Sequence, residues 1–136
     1  MNSQASEVSQ QEALADTSIF IGLENSRFDP DRIPPQSVVS VITLAELRLG
    51  VLSAKTLDVR ARRLATLRLA ESLDPLPVDD AVADAWATLV AQLREAGKKA
   101  HKNDSWIAAT AIASRLAVAT QDSDYDEMPG LQVIKI

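Results

Sequence analysis

Short apolar runs alternate with longer segments of helical period along this chain, and that alternation restricts the possible folds more than any other feature. Ala13-Leu14-Ala15 reads as a first strand, followed at Asp16-Thr17-Ser18 by a capped turn and the start of a helix. Residues 28–36 hold three prolines and two aspartates and read as a loop. Ser37-Val38-Val39-Ser40-Val41-Ile42 is β-branched and compact, the pattern of a buried strand. Thr43 then caps a helix running to about Ser53, with Glu46 at the third position of a capping box. Residues 55–71 place Leu57, Ala61, Leu64, Leu67 and Leu69 among arginines, an amphipathic helix. The two prolines of Asp74-Pro75-Leu76-Pro77-Val78 predict an edge strand. Asp79 or Asp80 caps a long helix with Val82, Trp86, Leu89, Val90 and Leu93 on one face, ending at Gly97. Asn103 or Asp104 caps a helix over 105–115, and residues 116–120 and 131–136 read as the last two strands. Strands alternating with helices predict one α/β domain with a mainly parallel sheet.

In such sheets ligands bind beyond the carboxyl ends of the strands. Asp16 follows the first strand directly, Glu46 follows the second by one helical turn, and Asp122 follows the fourth. These three carboxylates therefore fall on one edge, and Asp104 reaches it if its helix N-terminus faces the same way. Carboxylates that converge need a cation to tolerate one another, and a cation held by carboxylates and open to solvent suits phosphate chemistry. Each acid also has a local explanation. Asp16 is a possible N-cap, Glu46 a capping-box partner of Thr43, and Asp104 another N-cap. Asp126 and Glu127 read as exposed turn residues. Trp86 and Trp106 lie on apolar helical faces and read as core, and His101 as a surface residue or an RNA contact.

Composition removes rival chemistries. The chain has no cysteine and one histidine, so Cys/His zinc sites, thiol nucleophiles and two-histidine acid–base catalysis are excluded. No apolar run is long enough to span a membrane, and residues 1–11 are polar, reading as a flexible tail without signal-peptide character. The lack of cysteine fits a cytoplasmic protein. A net charge of −5 argues against indiscriminate nucleic-acid binding, but the charge is uneven. Arg48, Lys55, Arg60, Arg62, Arg63 and Arg68 face only Asp58 in their stretch, and Arg94, Lys98, Lys99 and Lys102 face only Glu95. Basic segments beside the acidic cluster at 122–127 suit a site that attracts a polyanion and cuts it. Solvated helix faces would show the same counts.

Four ordered elements carry a family resemblance: Leu14-Ala15-Asp16-Thr17-Ser18; Val41-Ile42-Thr43-Leu44-Ala45-Glu46-Leu47-Arg48-Leu49-Gly50; Asn103-Asp104-Ser105-Trp106-Ile107-Ala108-Ala109; and Ala119-Thr120-Gln121-Asp122-Ser123-Asp124-Tyr125-Asp126. The set resembles the PIN-domain family, specifically the VapC-type ribonuclease toxins of bacterial type II toxin–antitoxin pairs. The resemblance implies a three-layer α/β/α domain over 12–136, with a central parallel sheet of four to five strands in order 3-2-1-4-5. It implies catalytic and metal-holding roles for Asp16, Glu46, Asp104 and Asp122, with Asp124 as a further metal position. Thr17, Ser18 and Thr120 match auxiliary hydroxyl positions.

A Mg²⁺- or Mn²⁺-dependent endoribonuclease follows, with RNA (tRNA or rRNA) as substrate and a VapB-type antitoxin as inhibitor. Arg48, Lys98, Lys99, His101 and Lys102 are the candidate RNA contacts. The apolar faces around Leu44, Leu47, Val51, Leu64 and Leu67 exceed what an outer helix pair needs, and suit an antitoxin helix or a homodimer contact. The competing reading is a non-catalytic module whose acidic pocket receives a partner's arginine. A phosphatase of the aspartyl-nucleophile type would need an Asp two residues after Asp16, where Ser18 stands.

Overall fold

The computed structural model describes residues 12–136. The tail expected at 1–11 lies outside the described residues. Five parallel strands are joined by five α-helices: β1 (Glu12–Ala15), α1 (Thr17–Glu24), β2 (Gln36–Ser40), α2 (Val41–Leu52), α3 (Leu57–Glu71), β3 (Pro75–Leu76), α4 (Asp80–Glu95), α5 (Lys102–Ser114), β4 (Ala117–Thr120) and β5 (Val133–Lys135). The sheet order is β3-β2-β1-β4-β5, as the resemblance implied. β1 sits at the centre, with Leu14 level with Val38 on one side and Val118 on the other.

Strand alternation sorts the core into two layers. Ala13 and Ala15 of β1 point to one face with Val39 and Ala119, and meet Ile19 and Phe20 of α1, Leu47 of α2 and Leu67 of α3. Leu14 and Val118 point to the other, against Leu89 and Leu93 of α4 and Ile107, Ala108 and Ala111 of α5. Small alanines in the strands let the helices approach closely. Among the described residues no helix is long and apolar enough to cross a membrane.

Three local expectations are corrected. The second strand stops at Ser40, because its hydroxyl accepts the Ile42 N–H at 3.0 Å and caps α2. Val41 and Ile42, β-branched as they are, are therefore helical, and Thr43 is a fully buried first-turn residue rather than the cap. The helix expected from Ser105 begins at Lys102, with His101 at the cap position and the Ser105 N–H donating to the His101 carbonyl at 2.8 Å. Neither Asn103 nor Asp104 is a cap, so their side chains are released for other partners. Trp86 and Trp106 are only half-buried, stacked on each other at 4.5 Å with rings 7° from parallel.

The apolar excess on the helix pair is carried by partly different residues from those expected. Leu47 and Leu67 are buried, and Leu44 and Val51 pack against the same core layer. Leu64 is exposed as expected, and so are Leu49, Leu52 and Leu57 around the α2–α3 turn, Leu69 of α3 and Ile21 of α1. At the end of α4, Gly97 adopts φ +71° and lets the Lys98 N–H reach back to the Leu93 carbonyl at 2.8 Å. This left-handed stop turns the basic segment 98–102 toward the start of α5.

Candidate active site

Where β1 and β4 end side by side, the ladder continues one step further, the Asp16 N–H donating to the Ala119 carbonyl at 3.0 Å. That bond brings the Asp16 side chain beside Thr120. Asp16 is almost wholly buried, and both of its oxygens are held. Ser18 Oγ donates to Oδ1 at 2.6 Å, Thr120 Oγ1 donates to Oδ2 at 2.7 Å, and the Ile19 N–H, 3.3 Å from Oδ1, adds the helix cap. The hydroxyls are braced in turn: the Gln121 N–H donates to Ser18 Oγ at 2.9 Å and the Asp122 N–H to Thr120 Oγ1 at 2.9 Å. Asp16 is thus both the cap of α1 and the hub of a network tying two strand ends together. Burial raises its pKa; the Asp122 charge adds to the rise, while the two hydroxyls oppose it.

Glu46 projects from the second turn of α2. Thr17 Oγ1 donates to Oε1 at 2.6 Å, and Asn103 Nδ2 donates to Oε2 at 3.2 Å. Thr43 Oγ1 lies 3.1 Å from Thr17 Oγ1, completing a chain from α2 back to α1. Asp104, in the first turn of α5, accepts a hydrogen bond from Tyr125 Oη at 3.2 Å on Oδ1. Its pKa is pushed up to about 6, by burial first, then by the neighbouring Asp124 and the Asp16 charge, with Tyr125 pulling the other way. Burial and the charges of Asp16 and Asp104 hold the Tyr125 phenol above its ordinary range, so it remains a protonated donor.

Asp122 and Asp124 lie on the loop after β4, Asp122 half-buried and Asp124 exposed. Asp126 and Glu127 are turned outward, paired with Lys135 at 3.1 Å and Lys98 at 3.2 Å. Lys135 also donates to the Asp122 carbonyl, anchoring the loop to β5. Lys98, Lys99 and His101 line a cavity of about 150 Å³ that also touches Ser123 and Asp124. Lys102 is exposed on the first turn of α5. Arg48 is not with them; its guanidinium is bonded to Glu71 of α3 at 3.2 Å. Arg62 and Arg63 line a cavity of about 480 Å³ that opens beside Glu46, Thr17 and Asn103.

The profile of the PIN domain matches residues 13–131. This chain belongs to the PIN-domain family. The PIN domain is 56% identical to ribonuclease VapC4 of Mycobacterium tuberculosis over 125 residues, which span 91% of this chain and 96% of that protein. It is 47% identical to ribonuclease VapC5 of the same organism, over 89% of this chain and 90% of the relative. A solved structure of VapBC-5 from M. tuberculosis, a member of the VapBC family of toxin–antitoxin systems, superposes with a TM-score of 0.83. The aligned part is 43% identical and covers 93% of this chain and 99% of the other.

The donor set of this PIN domain is all oxygen, the chemistry of Mg²⁺ and Mn²⁺ rather than of zinc. Among the described residues, no three acidic or histidine side chains converge closely enough to form a finished cation cage. A hard cation that keeps several waters needs only one or two direct carboxylates, so the arrangement fits such an ion. Burial is the largest cause of the raised Asp104 pKa, but the Asp124 and Asp16 charges add to it, and Asp16 feels the Asp122 charge, a repulsion that a cation would relieve. Three participants escaped the sequence reading: Tyr125, the amide of Asn103 and the hydroxyl of Thr43. Tyr125 and Asn103 stand inside the motifs that carry the resemblance, but only the fold shows which carboxylate each one holds.

Proposed function

We propose that this PIN domain is the toxin of a type II toxin–antitoxin pair and acts as a Mg²⁺- or Mn²⁺-dependent endoribonuclease. The observation that carries this reading is the gathering, at the carboxyl edge of the sheet, of carboxylates from separate elements, three of them held by neutral donors. The ribonuclease names of its relatives support the activity, and the VapBC-5 structure supports a VapB-type antitoxin as partner.

One or two of Asp16, Glu46, Asp104 and Asp122 would hold the cation directly and the others through its waters, with Asp124 beside them. When bound, such an ion supplies an acidified water and charge balance for the phosphate. The residues' own part is orientation. Ser18 and Thr120 fix the plane of the Asp16 carboxylate, and Thr17 and Asn103 fix that of Glu46, so that neither swings when a phosphate approaches. Lys98, Lys99 and Lys102 present positive charge to the RNA backbone, and the His101 ring shares a cavity with Lys98, Lys99 and Asp124. In the reaction, a water oxygen bonds to phosphorus as the bond from phosphorus to the 3′ oxygen breaks. The water proton ends on that oxygen, leaving a 3′-hydroxyl and a 5′-phosphate.

The cavity beside Glu46 combines an apolar wall (Ile21, Leu47, Leu49) with Glu24, Glu46, Arg62 and Arg63, which suits an amphipathic antitoxin helix. The exposed leucines of the α2–α3 turn are the proposed homodimer contact, and light scattering that finds a monomer would remove that part. The test of the activity is fragment chemistry. A synthetic RNA cut by the purified chain in Mg²⁺ should give 5′-phosphate and 3′-hydroxyl ends. Cyclic 2′,3′-phosphates would mean attack by the RNA's own hydroxyl and would sink the hydrolytic mechanism.

A further inference from the structure

Tyr125 is the chain's single tyrosine and its largest fully buried side chain. Its ring packs in the core layer with Leu14, Leu89, Leu93 and Ile107, so its place is set by the fold and not by the site. A buried phenol needs a polar partner for its hydroxyl, and this one finds a carboxylate: Oη donates to Asp104 Oδ1 at 3.2 Å, with Asp16 close by. The loop carrying it is pinned by its own turns, the Met128 N–H donating to the Tyr125 carbonyl and the Asp126 N–H to the Ser123 carbonyl, each at 3.1 Å. The hydroxyl is therefore a rigid donor placed between two carboxylates; it claims Oδ1 of Asp104, whose carboxylate also neighbours Asp124, and leaves Oδ2 without a neutral side-chain donor.

We infer that Tyr125 is the positioning residue for Asp104: its hydroxyl holds Oδ1 and thereby presents Oδ2 to the divalent cation. Asp16 and Glu46 are each held at both oxygens by serine, threonine or asparagine, whereas Asp104 has this one neutral side-chain donor. Partners that orient metal-holding carboxylates from behind typically carry a 10–100-fold effect on metal affinity. This inference rests on the cation reading above, and its test separates the two.

Mn²⁺ binding is measured by calorimetry on the full chain and on Tyr125→Phe, with the thermal midpoint of each in EDTA. Tyr125→Phe keeps the ring and its packing and removes only the hydroxyl. The expected result is Mn²⁺ affinity weakened about tenfold. Absence of Mn²⁺ binding by the unaltered chain would refute the cation reading itself. Binding by both chains with equal affinity would leave that reading standing and overturn the role of Tyr125. A lower midpoint with unchanged affinity would likewise make the hydroxyl merely structural.

A second measurement covers a variant that fails to fold. Global labelling with 3-fluorotyrosine places one fluorine in the chain, at residue 125. Its ¹⁹F resonance should shift on Mg²⁺ addition, and not in Asp104→Asn. A resonance unmoved at a Mg²⁺ concentration that calorimetry shows to be saturating would overturn the proposal.

Discussion

Replacing Thr120 by valine removes one oxygen from the centre of the site and keeps the side-chain shape. That hydroxyl is fully buried; besides a longer 3.2 Å contact with Ser18 Oγ, it donates to Asp16 Oδ2 at 2.7 Å and accepts from the Asp122 N–H at 2.9 Å. A hydrogen bond to a charged group contributes about 1.5–3 kcal/mol, and stranding a partly buried N–H costs about 1–2 kcal/mol more. The extra apolar carbon of valine returns roughly 0.8 kcal/mol. The net expectation is a loss of about 3 kcal/mol at pH 7. With a urea slope of about 1.5 kcal/mol per molar, the unfolding midpoint falls by about 2 M with the slope unchanged. The deficit should shrink as pH is lowered. Thr120 favours the charged form of Asp16, whose pKa burial already raises, so protonating the carboxylate removes most of what the hydroxyl contributes. Equilibrium urea unfolding at pH 5 and pH 8 measures both effects. A loss below about 0.5 kcal/mol at pH 8, or one that grows toward acid, would refute the claim that this hydroxyl holds a charged Asp16.

Gly22 faces the 28–35 loop, and a Cβ there would stand 2.5 Å from the Phe28 ring and 2.7 Å from the Gln121 side chain. Gly22→Ala should therefore destabilise the chain by about 1–3 kcal/mol through overpacking, read from the same urea transitions. Mn²⁺ affinity should be constant above about pH 6 and fall toward tenfold per unit below it, because Asp104 titrates at about 6 and its protonated form cannot ligate; calorimetry between pH 5 and 8 checks this. Lys98→Ala with Lys99→Ala should weaken RNA binding to a catalytically silenced Asp104→Asn chain and reduce the slope of log affinity against log salt by up to about 1.4, measured by fluorescence anisotropy. The Arg48→Ala change should leave that slope unchanged, since Arg48 does not line the cavity of Lys98, Lys99 and His101.

Much of this architecture was legible in the residues because its signals are local. Short aliphatic strands, proline loops and helical periods repeat in an order that only a parallel sheet satisfies, and the acids at strand ends inherit one edge from that topology. The errors lie where two local signals compete. Val41 and Ile42 favour a strand by shape, but Ser40 caps α2 and the helix prevails. Asp104 is a good cap by type, yet the helix begins at Lys102, which frees the carboxylate for the site. Other features depend on contacts far apart in the chain. Asn103 and Glu46 are 57 residues apart, Tyr125 and Asp104 are 21 apart, and no spacing rule pairs an amide or a buried phenol with a particular acid. The Arg48–Glu71 bond, between neighbouring helices, is another pairing that no spacing rule shows.

The central claim is that these carboxylates form a cation-dependent centre for RNA cleavage. A single-turnover assay on a synthetic RNA tests it, with the purified chain stripped by EDTA and then supplied with Mg²⁺ or Mn²⁺, beside Asp104→Asn treated identically. The expected result is no cleavage in EDTA, cleavage restored by either ion in the unaltered chain, and a rate at least about a hundredfold lower in Asp104→Asn, about 2.7 kcal/mol of lost transition-state stabilisation. Undiminished cleavage in EDTA, or an Asp104→Asn chain that cuts as fast as the unaltered one, would contradict it.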